Sequence, residues 1–512
     1  MLEEIWLTLG GLAIVLALHV VAERTALPAA VLLVLGGLAL AWAPVPTAHL
    51  EPEVILDLVI PPLLYAAALR ASIFDIRANV RPVISLSVLL VAATAAGVAV
   101  ALDAIVAGLG FAAAFALGAA VAPPDPVASL AIGRRAGLPR RLVSLVEGEG
   151  LLNDATALTL YALAVTAATG GGFGVPEAVG RLALAAAGGI VVGVLVARVA
   201  LEVRARADDA LVENAISLMI PFAAFAAAEL IHGSGVLAVV VAGLAVGTFR
   251  PMVGSAESRQ QTDATWRIIE YLLEGYVFLL IGQQVPDIVA SLDEYALGTV
   301  LGAAGATVGA VLVVRLVWLG LLRRQMATDM ALDRREALAM WWAGTRGVIT
   351  LATALGLPFG FPERDLLLFC ALVVVLVTLV GQGLTFAPVL RLLRLEADED
   401  RFRERAEAQL AAARFARERL AAEAAAGDLP KHVVAVGDRM LSRLTDRVQA
   451  RLDDDAEADA ATREAIAHAR RVMIDAQREE LLRWRAAGRL SDADFRILDR
   501  RMDLQDLATP PS

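Results

Sequence analysis

The chain has 512 residues, of which 58% are hydrophobic and 20% are charged, and its formal net charge is −10. A mean hydropathy of +0.66 is too high for a soluble protein of this length, so the composition predicts a membrane protein with many spans. The acidic balance argues against nucleic-acid binding, which requires a basic face. The single cysteine, Cys370, excludes an intrachain disulfide.

Apolar runs long enough to cross a bilayer recur as far as residue 394 and predict about thirteen transmembrane helices. They lie at residues 4–22, 28–43, 53–69, 83–108, 111–133, 142–169, 178–203, 212–231, 234–249, 266–285, 297–322, 335–357 and 365–393. The first run follows only the letters MLEE, without a basic segment or a cleavage site, so it is interpreted as a retained span. The predicted fold class is an all-α polytopic membrane protein.

Arginine is unequally distributed between alternate connections of these spans. One set, which includes RASIFDIRANVR, RRAGLPRR and EVRARADD, holds nearly all of it, whereas the other holds Arg181 and Arg364. Basic residues favour the cytoplasmic side of a membrane. The N-terminus is therefore predicted outside the cell membrane and the C-terminus in the cytoplasm.

From about residue 395 the composition switches to a stretch rich in Ala, Glu and Arg that begins EADEDRFRERAEAQLAAARFARERL. Apolar residues recur in the following segments at spacings of three and four, which is the period of an amphipathic helix. We therefore predict a transmembrane domain at residues 1–394 and a helical cytoplasmic tail at residues 395–512.

The fifth predicted span contains AVAPPDPVAS at residues 121–130, in which prolines surround Asp125. Proline removes a backbone donor, so the helix should break here and leave carbonyl groups that must be satisfied away from lipid. A charged carboxylate at this depth costs about 3 kcal/mol. A functional role for Asp125 is therefore favoured over the alternative, a kinked helix in which Asp125 only caps the second half.

The sixth predicted span carries EGEGLLNDAT at residues 147–156. Glu149 and Asn153 are four residues apart on one helix face, and Asp154 is adjacent. The alternative to a functional site is a polar cluster that holds helices together. Asn153 alone would fit that alternative, but two carboxylates fit it only if each has a partner.

The twelfth predicted span carries WWAGTRGVITLATALG at residues 341–356, with Arg346 between two glycines. Charge balance predicts that Arg346 neutralises Glu149. The alternative that Arg346 is a structural counter-charge with no part in transport stays open. Arg315, deep in the eleventh span, is a candidate partner for carbonyls of a broken helix. The fifth and twelfth spans run in opposite directions, and two oppositely oriented broken helices are typical of inverted-repeat secondary transporters.

Six stretches carry a resemblance to a known family: PPLLYAAALR (61–70), APPDPVA (122–128), GEGLLNDATAL (148–158), HGSGVLAVVVAGL (232–244), GTRGVITLATAL (344–355) and LVTLVGQGLTFAPVLR (376–391). Through them the chain resembles the monovalent cation:proton antiporters of the bacterial NhaP type and the eukaryotic sodium/proton exchangers. The resemblance implies an inverted-repeat antiporter domain with two discontinuous crossing helices. It also implies a homodimer, in which a core domain moves against a dimerisation domain.

The resemblance also implies roles for individual residues. Asp154 corresponds to the carboxylate that binds the cation or the proton, and Asp125 to the aspartate of the unwound helix, so both are expected ligands of the metal ion. Asn153 corresponds to the neutral partner found where exchange is electroneutral. Glu149 and Arg346 correspond to a buried pair that holds the core together.

Three positions depart from the family pattern. Pro124 stands where the family usually has Thr, and Gly150 where it usually has Ser, so two hydroxyl groups that could bind a cation are lost. Ala66 stands where some members carry an acidic residue. The main-chain carbonyl of Pro124 remains a candidate cation ligand.

These residues predict a transporter rather than an enzyme. In this hypothesis a proton and Na⁺ compete for a carboxylate near the bilayer midplane, and only the neutralised site crosses the apolar barrier. Exchange of cytoplasmic Na⁺, or of K⁺ or Li⁺, for protons would serve pH and sodium homeostasis without a cofactor or a nucleic-acid partner. The alternatives are a K⁺/H⁺ antiporter regulated by its tail, a channel, and a cation-coupled symporter.

Overall fold

The computed structural model describes residues 2–25, 29–42, 54–71, 73–125, 130, 133, 138–170, 175–207, 209–250, 253, 256–325, 332–395, 400–426, 431–453, 473, 476–484 and 498. Every regular element in these ranges is helical, which confirms the predicted all-α fold class. The chain divides into two compact units, Met1–Ala397 and Asp398–Ser512. Each unit is described by itself.

The helices of the first unit follow in chain order, with π-helical turns at Ile55–Val59, Ser85–Leu89 and Val377–Gly383 and a short 3₁₀ turn at Leu292–Glu294. They are α1 Leu2–Arg24, α2 Ala29–Ala41, α3 Ile60–Arg70, α4 Ile73–Ala78, α5 Val80–Ile84, α6 Leu90–Asp103, α7 Phe111–Val121, α8 Arg140–Ala168, α9 Val175–Arg204, α10 Ala210–Glu229, α11 Gly235–Phe249, α12 Ala256–Ser291, α13 Leu297–Gln325, α14 Arg334–Trp342, α15 Val348–Leu355, α16 Arg364–Leu376 and α17 Leu384–Leu393.

Within the described residues, seven helical runs are long and apolar enough to cross a membrane by length and composition. They are Val80–Asp103, Arg141–Ala168, Ala183–Arg204, Ala210–Glu229, Glu257–Glu294, Leu297–Arg324 and Arg364–Leu393. Shorter apolar helices lie at Leu9–Ala22, Ala29–Ala41, Phe111–Val121 and Gly235–Phe249. The protein is thus a multi-pass membrane protein, and the number of about thirteen spans stays a prediction.

The outward faces of several spans are apolar, as a lipid environment requires. On α9, Leu184, Leu195 and Val199 are exposed in the isolated chain and follow one another at helical spacing. A contiguous apolar surface of this kind marks a membrane-contacting face in a protein with such a composition.

The tenth predicted span, 266–285, lies inside the much longer helix α12, which has 36 residues. Hydropathy identifies only the apolar part of a helix, so the polar first turns were missed. Those turns are held by side-chain contacts. Asn214 donates to Gln261 at 2.7 Å, and Arg250 donates to Asp263 at 2.7 Å.

Two interrupted helices meet inside the first unit. Helix α7 ends at Val121 and is followed by non-helical residues through Asp125, where the prolines predicted a break. Most residues predicted to form the second half of this span lie outside the described residues. The other interruption separates α14 from α15 at residues 343–347, as predicted for the twelfth span.

Two helices of the second unit pack against each other, α18 Asp400–Ala426 and α19 Lys431–Asp453. Arg417 joins them, because its Nε lies 2.8 Å from Asp438 Oδ1 and its Nη2 donates to Ser442 Oγ at 2.7 Å. The helical character predicted for this part of the chain is therefore present in its described residues.

Candidate functional site

Asn153 and Asp154 lie near the middle of α8, which packs against α7 and the break that follows it. Asn153 is fully buried and Asp154 is 8% exposed. The Asn153 side-chain amide donates to the Pro124 carbonyl at 3.0 Å, while its Oδ1 accepts from the Asp154 backbone N–H at 2.6 Å. A carbonyl can only accept and a backbone N–H can only donate, so an amide side chain satisfies both partners and a carboxylate does not.

Asp125 is held by the interruption of the other broken helix. Its backbone N–H donates to the Thr345 carbonyl at 2.6 Å, and the Thr345 hydroxyl donates to the Asp125 carbonyl at 3.0 Å. Its carboxylate occupies the space where a side chain at Gly347 would begin. Asp125 follows Pro124 and Asp154 follows Asn153, so the hydrogen bond between Asn153 and Pro124 brings the two acidic residues near each other.

Arg346 is fully buried and binds carbonyl groups. Its Nε donates to Val121 O at 3.0 Å and its Nη2 to Ala122 O at 3.0 Å, while Nη1 donates to Gly344 O. These carbonyls belong to the C-terminal end of α7 and to the second break, where backbone acceptors lack helical partners. A positive charge at the C-terminal end of a helix is also favoured by the helix dipole.

Glu149 pairs with Arg315, which corrects the predicted pair of Glu149 with Arg346. Arg315 Nη1 donates to Glu149 Oε1, and Arg315 Nη2 donates to Glu149 Oε2 at 3.0 Å. The two side chains are 2% and 1% exposed. Arg315 also donates to the Met340 carbonyl at 3.0 Å, which confirms its predicted contact with a broken helix. The prediction from charge balance named the wrong arginine, because it took account of the charges but not of the distances between the side chains.

Two further acidic residues lie on α12. Arg70 binds Glu270 through two hydrogen bonds of 2.7 and 2.5 Å. Glu274 follows one turn later, and its charge interacts with those of Asp125, Glu270 and Arg70. Glu274 therefore lies between the ion pair of Arg70 and Glu270 and the region of Asp125 in its electrostatic contacts.

Sequence reasoning missed two threonines in this region. Thr345 joins the two breaks, and the Thr378 hydroxyl accepts from the Arg346 backbone N–H at 3.0 Å. Thr345 has a signal that could have found it, since it stands between Gly344 and Arg346 inside the interruption. Thr378 has no comparable signal, because one threonine in an apolar run is ordinary.

Comparisons with known proteins agree with this architecture. The sodium/hydrogen exchanger transmembrane family model matches residues 11–392. An uncharacterized Na⁺/H⁺ exchanger of Mycobacterium tuberculosis is 33% identical over 97% of this chain and 96% of its own length. The Na⁺/H⁺ antiporter ApNhaP of Aphanothece halophytica is 31% identical over 77% of this chain and 75% of its own length.

A solved structure is similar in fold. The sodium proton antiporter MjNhaP1 from Methanocaldococcus jannaschii at pH 8 superposes with a TM-score of 0.61 at 16% identity, covering 77% of this chain and 100% of that chain. The family model covers most of the first unit, including both interrupted helices. The chain therefore belongs to the sodium/hydrogen exchanger family.

Proposed function

We propose that this protein is a secondary-active Na⁺/H⁺ antiporter that exchanges cytoplasmic Na⁺ for protons by alternating access. One observation carries the proposal: Asn153 ties the Pro124 carbonyl to the backbone next to Asp154, with Asp125 beside them. This arrangement places two carboxylates and a main-chain carbonyl at the junction of broken helices. Membership in a family of membrane exchangers, with relatives named Na⁺/H⁺ antiporters, supports the same conclusion.

The oxygen atoms at this junction suit a hard monovalent cation. The carboxylates of Asp154 and Asp125 are the proposed charged ligands, and the Pro124 carbonyl has a second lone pair beyond the one used by Asn153. Asn153 mainly positions the Pro124 carbonyl and Asp154, because its amide oxygen already accepts a hydrogen bond from the Asp154 N–H. A carbonyl ligand at Pro124 would replace the hydroxyl ligand that family members usually have at this position.

A proton and Na⁺ compete for Asp154 in this mechanism. An empty, charged site is costly to move through the apolar interior, whereas a site neutralised by either ion is not. Alternating access then gives obligatory exchange. In this mechanism Asp154 is the one carboxylate that changes its occupant, a proton in one half-cycle and Na⁺ in the other, and neutral Asn153 adds no further charge, so the exchange moves no net charge.

The remaining residues of the junction keep it intact during the cycle. Arg346 holds the carbonyl end of α7, and the Glu149–Arg315 pair joins α8 to α13 and to the end of α14. We propose that these groups move as one core and that the protein works as a homodimer in the cell membrane. Its N-terminus is outside, its C-terminal tail is cytoplasmic, and its physiological role is pH and sodium homeostasis.

The test is Na⁺ uptake by purified protein in liposomes with an imposed pH gradient. Wild-type protein should take up Na⁺ in proportion to the gradient, and Asp154→Asn should lower uptake to the level of protein-free liposomes. Asp103→Asn is the matched control, because Asp103 is an exposed aspartate at the end of α6. Full exchange by Asp154→Asn would remove Asp154 from its role, and a series with K⁺ and Li⁺ would define the cation.

A further inference from the structure

A cavity of about 940 Å³ lies between α8, α10 and the π-helical turn that precedes α3. Its lining is mostly apolar and includes Leu158 and Phe225. The polar side chains among the described lining residues are Asp57, Tyr161 and Glu229. Asp57 and Glu229 are exposed, so the cavity opens to solvent where these two carboxylates lie.

The buried end of the cavity is one helical turn from the proposed ion site. Leu158 follows Asp154 by four residues and Tyr161 follows it by seven, which places all three on one face of α8. Along the helix axis Tyr161 is about 10 Å from Asp154, since each residue rises about 1.5 Å. The cavity thus extends from the two exposed carboxylates towards the carboxylate of the site.

Tyr161 is 4% exposed, and its hydroxyl has no hydrogen-bond partner among the described residues. A buried polar group without a partner is unfavourable, because it has lost its hydrogen bonds to water. Such groups are usually satisfied by water or an ion. Glu229, which lines the same cavity, accepts a hydrogen bond from the Gly235 N–H at 3.1 Å.

We propose that the Tyr161 hydroxyl is a transient oxygen ligand for Na⁺ between the mouth of this cavity and Asp154. The inference rests on the proposed antiport function. Na⁺ that leaves water needs oxygen partners, and Leu158 and Phe225 offer none along this passage. Tyr161 lines this cavity, and its hydroxyl has free donor and acceptor capacity for the ion and its remaining water molecules.

The effect of Tyr161 is confined to one face of the membrane. The C-terminal ends of α8, α10 and α15 and the segment before α3 surround the cavity, and in the proposed orientation these ends face outside. Cytoplasmic Na⁺ reaches Asp154 from the opposite end and does not pass Tyr161. Removal of the hydroxyl therefore weakens the apparent affinity for external Na⁺ alone.

The test compares Tyr161→Phe with wild type in right-side-out and everted membrane vesicles from antiporter-deficient bacteria, with Na⁺ varied on the bathing side. The expected result is a rise of about threefold to tenfold in the half-saturating external Na⁺ concentration. The maximal rate and the half-saturating cytoplasmic concentration stay as in wild type. Tyr65→Phe is the matched control, because Tyr65 is a fully buried phenol that packs on Trp266 outside this cavity.

A second measurement separates this role from a structural one. Tyr161→Phe removes a buried hydroxyl that has no partner in the described protein, so the thermal unfolding midpoint of the variant should equal or exceed that of wild type. A lower midpoint, an unchanged external affinity, or an equal change on both faces would overturn the inference. Absence of exchange in wild-type vesicles would instead contradict the antiport function itself.

Discussion

Glu149 and Arg315 form a bidentate ion pair in the interior of the first unit, with both side chains almost completely removed from solvent. Arg315 simultaneously binds the Met340 carbonyl near the end of α14. The pair thus links the helix that carries Asn153 and Asp154 to one of the two interrupted helices. The pair gives the Glu149 carboxylate a partner in the same span that carries Asn153 and Asp154.

Loss of one partner of this pair should strongly destabilise the protein. Arg315→Met leaves the Glu149 charge buried without its cation, and such changes cost about 3–5 kcal/mol. We expect a large fall in the thermal unfolding midpoint of the detergent-solubilised protein, followed by unfolding fluorescence. A midpoint within one or two degrees of wild type would contradict a buried ionic contact.

A charge exchange identifies the partner of Glu149. The double variant Glu149→Arg with Arg315→Glu should regain part of the stability that each single variant loses, since the opposite charges face each other again. The matched control exchanges Glu149 with Arg346, and it should not recover because Arg346 binds carbonyl groups. Recovery only in the control would favour the pair that charge balance alone predicts.

Arg346→Lys should be poorly tolerated although it keeps the charge. The guanidinium reaches the Val121 and Ala122 carbonyls with two nitrogen atoms at once, and an ammonium group lacks that planar fork. Each buried acceptor left without a donor costs about 1–3 kcal/mol. Stability and Na⁺ uptake should both fall.

Arg364→Lys is the matched control for this substitution. Arg364 also donates to helix-end carbonyls, those of Leu357 and Leu355, but it is only half-buried, so water can replace the lost contact. The Arg364→Lys variant should retain most of the wild-type Na⁺ uptake. Equal losses in the two variants would show that the burial of Arg346 is not what makes it necessary.

Gly347→Ala should abolish transport, because a Cβ at this position would overlap the Asp125 carboxylate. The carboxylate cannot move aside easily while the Asp125 backbone is bound to Thr345. Na⁺ uptake in liposomes is the measurement. Gly305→Ala is the control, since a Cβ there meets no atom within 4 Å, and an active Gly347→Ala protein would show that the carboxylate has another position.

Wild-type exchange should be insensitive to membrane potential. If one Na⁺ replaces one proton, an imposed K⁺ diffusion potential with valinomycin leaves the initial rate unchanged. Each net charge moved would otherwise gain about 2.3 kcal/mol per 100 mV. Acceleration of wild-type uptake by an inside-negative potential would contradict the neutral role of Asn153.

The Asn153→Asp variant tests whether the neutral side chain at this position keeps the exchange insensitive to membrane potential. A second carboxylate at this position adds a charge to the site, and it also faces the Pro124 carbonyl with an acceptor instead of a donor. We expect slower exchange that has become sensitive to the imposed potential. A fast and potential-independent Asn153→Asp variant would show that the amide contact is dispensable.

The interrupted helices and the Asn153–Asp154 pair were predictable because their signals are local. Prolines around Asp125, and charged residues in apolar runs, stand out within a few positions of sequence. The partner of Glu149 was not predictable in the same way. Arg315 and Arg346 both lie in the middle of apolar spans, and only the packing of α13 against its neighbours decides which of them reaches the carboxylate.

Hydropathy also left the length of α12 undetermined. Its first turns are polar and read as a connection, but contacts such as that of Arg250 with Asp263 keep them in the fold. Contacts of this kind join residues from different helices, so no window along one helix contains them.

The two hydrogen bonds between Asp125 and Thr345, one donated by the Asp125 backbone N–H and one by the Thr345 hydroxyl, hold one unwound segment against the other. A hinge at either interruption would have to break both hydrogen bonds at once. Spin labels on α7 and α15 should accordingly report a constant separation throughout turnover, while distances from either label to the surrounding helices change.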